Sequence, residues 1–226
     1  MLFVRTFDSK AIALQRTGKL GTYAACLGHE ATHVGIGASM QPEDVFAPSY
    51  REYGAQFERG VKPRDVLMYW GGDERGNDFE IPRNDYPWCV PISTQCLMAS
   101  GAALSFKLRG EHRVAVATCG DGGSSKTDFY AAVNSAGAFT LPLVLCVINN
   151  GWAISVPRKA QTGADTLAQK GLAGGLHCLQ VDGNDLVAVL EAMRIATERA
   201  RKGEGGRELE FMTYRLSDHT TADDAR

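Results

Sequence analysis

The stretch VAVATCGDGGSSKTDFYAAVNSAGAFTLPLVLCVINN, residues 114–150, decides the fold. Its first part, VAVAT (114–118), is a short valine-rich run closed by Cys119 and a Gly-Asp-Gly-Gly turn, the pattern of a buried strand. A helical stretch over 128–138 follows, with Phe129, Val133, Ala136 and Phe139 marking one face. Pro142 then introduces LVLCVIN (143–149), a second buried strand. Strand, helix and strand over this length make a βαβ unit, whose strands must be parallel.

The pattern continues downstream. CLQVDG (178–183) reads as a further strand, and Asp185 can cap a helix whose apolar face is Leu186, Val189, Leu190, Met193 and Ala196, closed by Gly203. LEFMTYRL (209–216) reads as another strand. Together they predict an α/β fold with a doubly wound, mostly parallel sheet flanked by helices. Upstream, helices are expected at 2–16, 28–40, 51–59, 63–70 and 94–108, separated by a long polar loop over 71–91.

Composition narrows the class. With 226 residues, the chain can bury a real core as a single domain over 1–226. Hydrophobic residues are 44%, charged residues 22% and the net charge is −2, so no basic excess points to nucleic acid. The opening MLFVRTFDSK is too short and too charged for a signal peptide, and no apolar run approaches a membrane span. The six cysteines are scattered without a C-x-x-C pair, which favours buried free thiols. A helix-like opening and the unfinished end TTADDAR give the look of a fragment lacking N- and C-terminal segments.

In an open parallel sheet, ligands bind beyond the carboxyl ends of the strands. Here two neighbouring strands end in GDGGSS (120–125) and NNGWAIS (149–155). Asp121 offers an anionic oxygen and Asn150 a neutral one, ligands suited to Mg²⁺ or Ca²⁺ rather than zinc. Gly120, Gly122 and Gly123 allow backbone N–H groups to approach a phosphate before a helix N-terminus. Either turn alone reads more simply as a tight loop; at consecutive strand ends they predict a magnesium-diphosphate site. GHEATH (28–33) offers a competing chemistry, because His29, Glu30 and His33 spell the H-E-x-x-H of zinc metalloproteases, with Glu52 at a third-ligand spacing. No other element of such an enzyme is found in the sequence.

A G-D-G turn followed about thirty residues later by N-N is the motif of thiamine-diphosphate enzymes. The stretch 120–157 resembles the alpha subunit of the decarboxylating component of 2-oxoacid dehydrogenase complexes. The resemblance extends through LGTYAACLGHEATHVG, SYREYG, QTGADTLAQK, QVDGNDLVAV and YRLSDHTTADD, essentially the whole chain. It implies that Asp121 and Asn150 bind magnesium through side chains and Trp152 through its backbone carbonyl. Tyr50 and Arg51 match the family's diphosphate-contacting pair, where a guanidinium fork suits two phosphate oxygens. Gly122 and Gly123 belong to the cofactor loop, and Val90 and Ile92 align with residues whose backbone meets the aminopyrimidine ring. Pro91, Thr94 and Gln95 resemble a potassium site of branched-chain members. His219 aligns with the active-site histidine, able to donate to a developing anion or to move a proton near neutral pH. Thr220 stands where animal relatives carry a regulatory phosphoserine, and Tyr23 is placed on the substrate side. The H-E-x-x-H match falls in a family segment that does not require its first histidine, so the resemblance makes it a coincidence.

The resemblance also implies partners. The carboxylate that activates the cofactor belongs to a separate beta subunit in an α₂β₂ assembly, and the acyl group passes to the lipoyl domain of a dihydrolipoyl acyltransferase. LGTYAACLGHEA and DFYAAVNSAGAF look closer to pyruvate-specific bacterial relatives, which favours pyruvate over branched-chain oxoacids or acetoin and implies a cytoplasmic setting. The chain departs from the common pattern at Ser125-Lys126-Thr127, at Ala131 where a glutamate is frequent, and at Leu97 where a proline is.

Overall fold

A computed structural model describes residues 1–223. Asp224, at the end of the YRLSDHTTADD segment, lies outside the described residues. Three expected elements match closely: α1 (Leu2–Arg16), α4 (Pro63–Trp70) and β3 (Leu143–Asn149). Between them come α2 (Glu30–Ala38), β1 (Val45–Ala47), α3 (Tyr53–Glu58), α5 (Thr94–Arg109), β2 (Ala115–Gly120) and α6 (Thr127–Ala138). A short hairpin, β4 (Trp152–Ala153) with β5 (Val156–Pro157), leads to α7 (Gln169–Ala173), β6 (His177–Asp182), α8 (Leu186–Arg201) and β7 (Arg207–Met212).

The main sheet has five strands in the order β1-β2-β3-β7-β6, every pair parallel. Both faces are covered, so alternate residues of one strand enter different cores. Ala115, Ala117 and Cys119 pack with Ala99 and Phe106 of α5 and Phe129 and Val133 of α6. Val114 and Val116 face Ile36 of α2 and Val189 and Met193 of α8. A third cluster gathers α1, α3 and α4 around Tyr23 and Tyr53, whose rings stack 5.5 Å apart. Asp185 caps α8 as its sequence predicts, accepting from Val187 and Ala188 N–H.

The structure adds one strand and corrects two expected boundaries. Strand β1 had no signal, because three residues are too short for a period to show. It is held at the sheet edge by buried ion pairs: Arg201 grips Asp44 at 2.7 Å and Arg59 grips Asp85 at 2.7 Å. The last strand ends at Met212 rather than at 216, because its neighbour β3 ends at Asn149 and offers no further ladder. The chain then turns back, and Leu216 N–H reaches the Leu27 carbonyl. Helix α2 begins at Glu30 rather than 28, since Gly28 has φ +96°. All six cysteines are free. No helix among the described residues is long and apolar enough to cross a membrane.

Strand β7 carries two buried carboxylates with opposite fates. Glu210 accepts from Asn149 Nδ2 (2.7 Å), Ala168 N–H (3.0 Å) and Gln180 Nε2 (3.1 Å). Neither oxygen of Glu208 accepts from a side chain, and burial, aided by Glu210 and opposed by Lys170 and the Gly171 N–H, pushes its carboxyl up to about 8. The folded protein therefore holds a proton that the unfolded chain releases, and the glutamate destabilises progressively as pH rises from its unfolded value to about 8. In urea titrations, Glu208→Gln is expected to lack this slope, matching the wild type near pH 5 and exceeding it by about 4 kcal/mol at pH 8.5.

Candidate active site

The registers of β2 and β3 bring Gly120 opposite Ile148, so Asp121 and Asn150 leave neighbouring strands at the same sheet edge. Beyond that edge lies a cavity of about 570 Å³, in the range of small-molecule sites. Tyr50, Arg51, Val90, Ile92, Asp121, Gly122, Gly123, Asn150, Trp152 and His219 all line it.

The two asparagines divide their work. Asn149 is anchored, donating to Glu210 and accepting from Gly151 N–H at 3.1 Å. Asn150 faces the cavity, its Oδ1 accepting only from Trp152 N–H at 3.1 Å, which leaves a lone pair for a cation. Burial raises the Asp121 carboxyl, and Gln161 Nε2 approaches it at 3.3 Å. A cation beside it would restore the ionised form. The glycines are required by close approach: a Cβ on Gly122 would stand 2.5 Å from Ala153 Cβ, and one on Gly123 2.6 Å from Ser93 Oγ. Ser93 (φ +65°) and Ile154 (φ +57°) are left-handed non-glycine residues in the cavity wall, where backbone strain commonly collects.

Arg51 organises the other side. Its Nη1 donates to the Ala25 carbonyl, and its Nη2 to the His219 carbonyl (2.8 Å) and to His219 Nδ1 (3.1 Å). Arg215 Nη1 also approaches Nδ1 at 3.3 Å. Guanidinium groups only donate, so Nδ1 must be the acceptor and the ring proton sits on Nε2, directed at Tyr50 Oη 3.3 Å away. Burial and the two arginines hold the His219 imidazole down to about 4. This corrects the near-neutral titration expected of it: His219 is a neutral donor at pH 7. Arg215 escaped the sequence reading, and its signal was its position four residues before His219. It also donates to the Ile154 carbonyl at 2.9 Å, tying the C-terminal segment to the β4–β5 hairpin.

Other expected residues separate. Tyr23 is away from the cavity, donating to Asp8 Oδ1 at 2.9 Å in the aromatic core, while its backbone pairs with Thr221. That overturns its placement on the substrate side. Of Pro91, Thr94 and Gln95, only Gln95 lines the cavity. Thr94 donates instead to Asp128 (2.8 Å), while Gln95 Nε2 donates to the Thr118 carbonyl and its Oε1 is buried without a partner. Thr220 Oγ1 donates to Asp223 at 2.8 Å.

The H-E-x-x-H segment does not form a metal centre. His29 and His33 face the cavity with rings 5.5 Å apart, and none of their four nitrogens has a protein partner. Burial holds both neutral, His33 down to about 3. Glu30, however, turns to Arg5 at 2.9 Å and to Gly28 N–H. Among the described residues no group of three His, Cys, Asp or Glu side chains is placed to hold a metal.

Fold and cavity thus define a doubly wound α/β protein whose strand-end site combines side-chain oxygens with an arginine. The chain belongs to the dehydrogenase E1 component family, whose model matches residues 1–226. It is 42% identical to the pyruvate dehydrogenase E1 component subunit alpha of Acholeplasma laidlawii, over 97% of this chain and 64% of that one. It is also 42% identical to the 3-methyl-2-oxobutanoate dehydrogenase subunit alpha of Mycobacterium tuberculosis, over 99% of this chain and 61% of that one. The chain therefore spans less than two thirds of the length of these curated relatives. A solved structure from Mycobacterium smegmatis, described as a provisionally assigned thiamin diphosphate-dependent enzyme, shares the fold with a TM-score of 0.55 at 16% identity, covering 86% of this chain and 33% of that one.

Nitrogen-15 NMR of the imidazoles is expected to find His219 as the Nε2–H tautomer at pH 7, with a midpoint near 4. Replacing Arg51 with Met should raise that midpoint, since the guanidinium charge opposes protonation.

Proposed function

We propose that this chain is the alpha subunit of a thiamine-diphosphate-dependent 2-oxoacid dehydrogenase acting on pyruvate, and that it supplies the magnesium- and diphosphate-holding half of the active site. The observation that carries the reading is the convergence of Asp121, Asn150, Arg51 and His219 on one cavity at the ends of β2 and β3. The donor set suits the group. A carboxylate, an amide oxygen and the Trp152 carbonyl are hard oxygen ligands of the kind magnesium takes, beside glycines that leave room for phosphate oxygens.

When bound, thiamine diphosphate supplies the nucleophilic carbon and the electron sink for loss of carbon dioxide. Asp121 and Asn150 would hold its magnesium, and Tyr50 and Arg51 its diphosphate. The backbone at Val90 and Ile92 would hold its ring. His219, protonated at Nε2, would donate toward negative charge developing on substrate oxygen rather than act as a base. Arg51 and Arg215, whose charges together with burial hold the neighbouring imidazoles neutral, supply positive charge that suits an anionic cofactor and a 2-oxoacid.

The cofactor-activating carboxylate would come from a beta subunit in an α₂β₂ assembly, and the acyl group would pass to a lipoyl domain of the acyltransferase. The cavity rim supports a covering partner: Val90 is 51% exposed, Ile92 39%, Trp152 38% and Ile154 55%. Potassium near Pro91, Thr94 and Gln95 belongs to the same reading, supported by the unpartnered Gln95 Oε1, as does a cytoplasmic location. A branched-chain 2-oxoacid is the second reading, favoured by the relative named for 3-methyl-2-oxobutanoate.

Calorimetric titration of thiamine diphosphate into the chain assembled with its beta subunit tests the proposal. Binding should require Mg²⁺ and weaken by about 100-fold or more in Asp121→Ala, as loss of a direct metal ligand implies. Turnover of pyruvate against 3-methyl-2-oxobutanoate then decides the substrate. Magnesium-independent binding, or none, would sink the reading.

A further inference from the structure

We propose that Lys170 is a positioning residue for the Asp121 loop, acting from behind the cavity wall through Ser124. The lysine belongs to α7, in the QTGADTLAQK segment, 46 residues after Ser124 in sequence. It is only 5% exposed and is absent from the cavity lining, so it touches no ligand there.

An ammonium has three protons and no acceptor. Those of Lys170 meet the Ser124 carbonyl at 2.9 Å, Ser124 Oγ at 2.9 Å and Ser125 Oγ at 3.3 Å. Because Ser124 Oγ accepts from the lysine, its own proton is left to donate, and it reaches the Asp121 carbonyl at 2.7 Å. The direction of this relay follows from donor chemistry alone: lysine to serine hydroxyl to the main chain of Asp121. On the opposite flank, Ser93 Oγ donates to the Gly123 carbonyl at 2.7 Å. The loop is therefore held on two sides by buried donors, one of them charged.

A charge this deep is costly unless its hydrogen bonds are complete, and here all three are made to the one loop. Hydrogen bonds from a charged donor are about twice as strong as neutral ones. Losing Lys170 would thus loosen the main chain that aims the Asp121 carboxylate while leaving that carboxylate in place. The Lys170 charge also sits behind a loop whose proposed ligands are a cation and a diphosphate, so its removal shifts the balance of charge felt by both.

The proposal rests on the proposed magnesium-diphosphate site, and the test separates the two. In the assembled enzyme, the Mg²⁺ concentration giving half-maximal thiamine diphosphate binding is measured by calorimetry, alongside the melting temperature. Lys170→Met is expected to raise that concentration about tenfold, the usual size for a residue that orients a metal ligand, with Lys170→Arg recovering most of it. Ser124→Ala should give a smaller rise, and adding it to Lys170→Met should cost less than the sum of the two. The same half-saturation in wild type, Lys170→Met and Ser124→Ala would overturn the proposal. A lower melting temperature with unchanged half-saturation would overturn it too, because it leaves the lysine only a packing role. Should Lys170→Met fail to assemble, Ser124→Ala decides, since it keeps the lysine and removes only the relay. A wild type that binds no thiamine diphosphate would instead overturn the functional reading beneath it.

Discussion

The parallel pairing of β2 with β3, from Ala115 opposite Leu143 to Gly120 opposite Ile148, is the constraint on which the rest depends. Parallel strands end at one edge, and the helices that return the chain cover the faces rather than that edge. The loops leaving Gly120 and Asn149 therefore meet over an uncovered rim. Arg51, Asp121 and Asn150 are brought into the cavity by loops leaving this edge, and His219 by the C-terminal segment folded back across it. The aromatic cluster of α1, α3 and α4 closes the far side and carries the segment from Tyr23 to Gly28 against that returning chain.

Charge is distributed unevenly around that rim. Arg51 touches the segment at Ala25 and both the ring and the backbone of His219, so one guanidinium joins three stretches of chain remote in sequence. Arg215 adds a second positive charge to the same ring. The price is that no histidine in the cavity titrates near neutrality: His29, His33 and His219 are all held in their neutral forms. Such a site is built to receive negative charge and to donate hydrogen bonds, not to accept protons.

Buried polar groups elsewhere fall into two kinds. Glu210, Asn149 and Gln180 bond across β7, β3 and β6 and tie the Ala168 backbone to the sheet, which positions α7 and with it Lys170. Glu208, two residues earlier on the same face of the same strand, is left without a side-chain hydrogen bond. Burial and the neighbouring Glu210 keep the Glu208 carboxyl protonated.

The sequence by itself determined the βαβ core, the cap of α8, the absence of disulfide logic among the cysteines, and Asp121 and Asn150 as strand-end oxygens. These are local: periodicity, capping and turn chemistry are written in neighbouring residues, and parallel strands force their ends together. The family's motifs named Arg51 and His219 as well. Only the tertiary structure decided what depends on distant segments meeting. It placed β1 at the sheet edge, because ion pairs from Arg201 and Arg59 hold three residues that carry no period of their own. It moved Tyr23 into the core, because its hydroxyl pairs with Asp8. It parted Glu30 from His29 and His33, since Arg5 draws the carboxylate away from the cavity that the imidazoles face. It also set the proton of His219, because two arginines far apart in sequence leave its Nδ1 no choice but to accept.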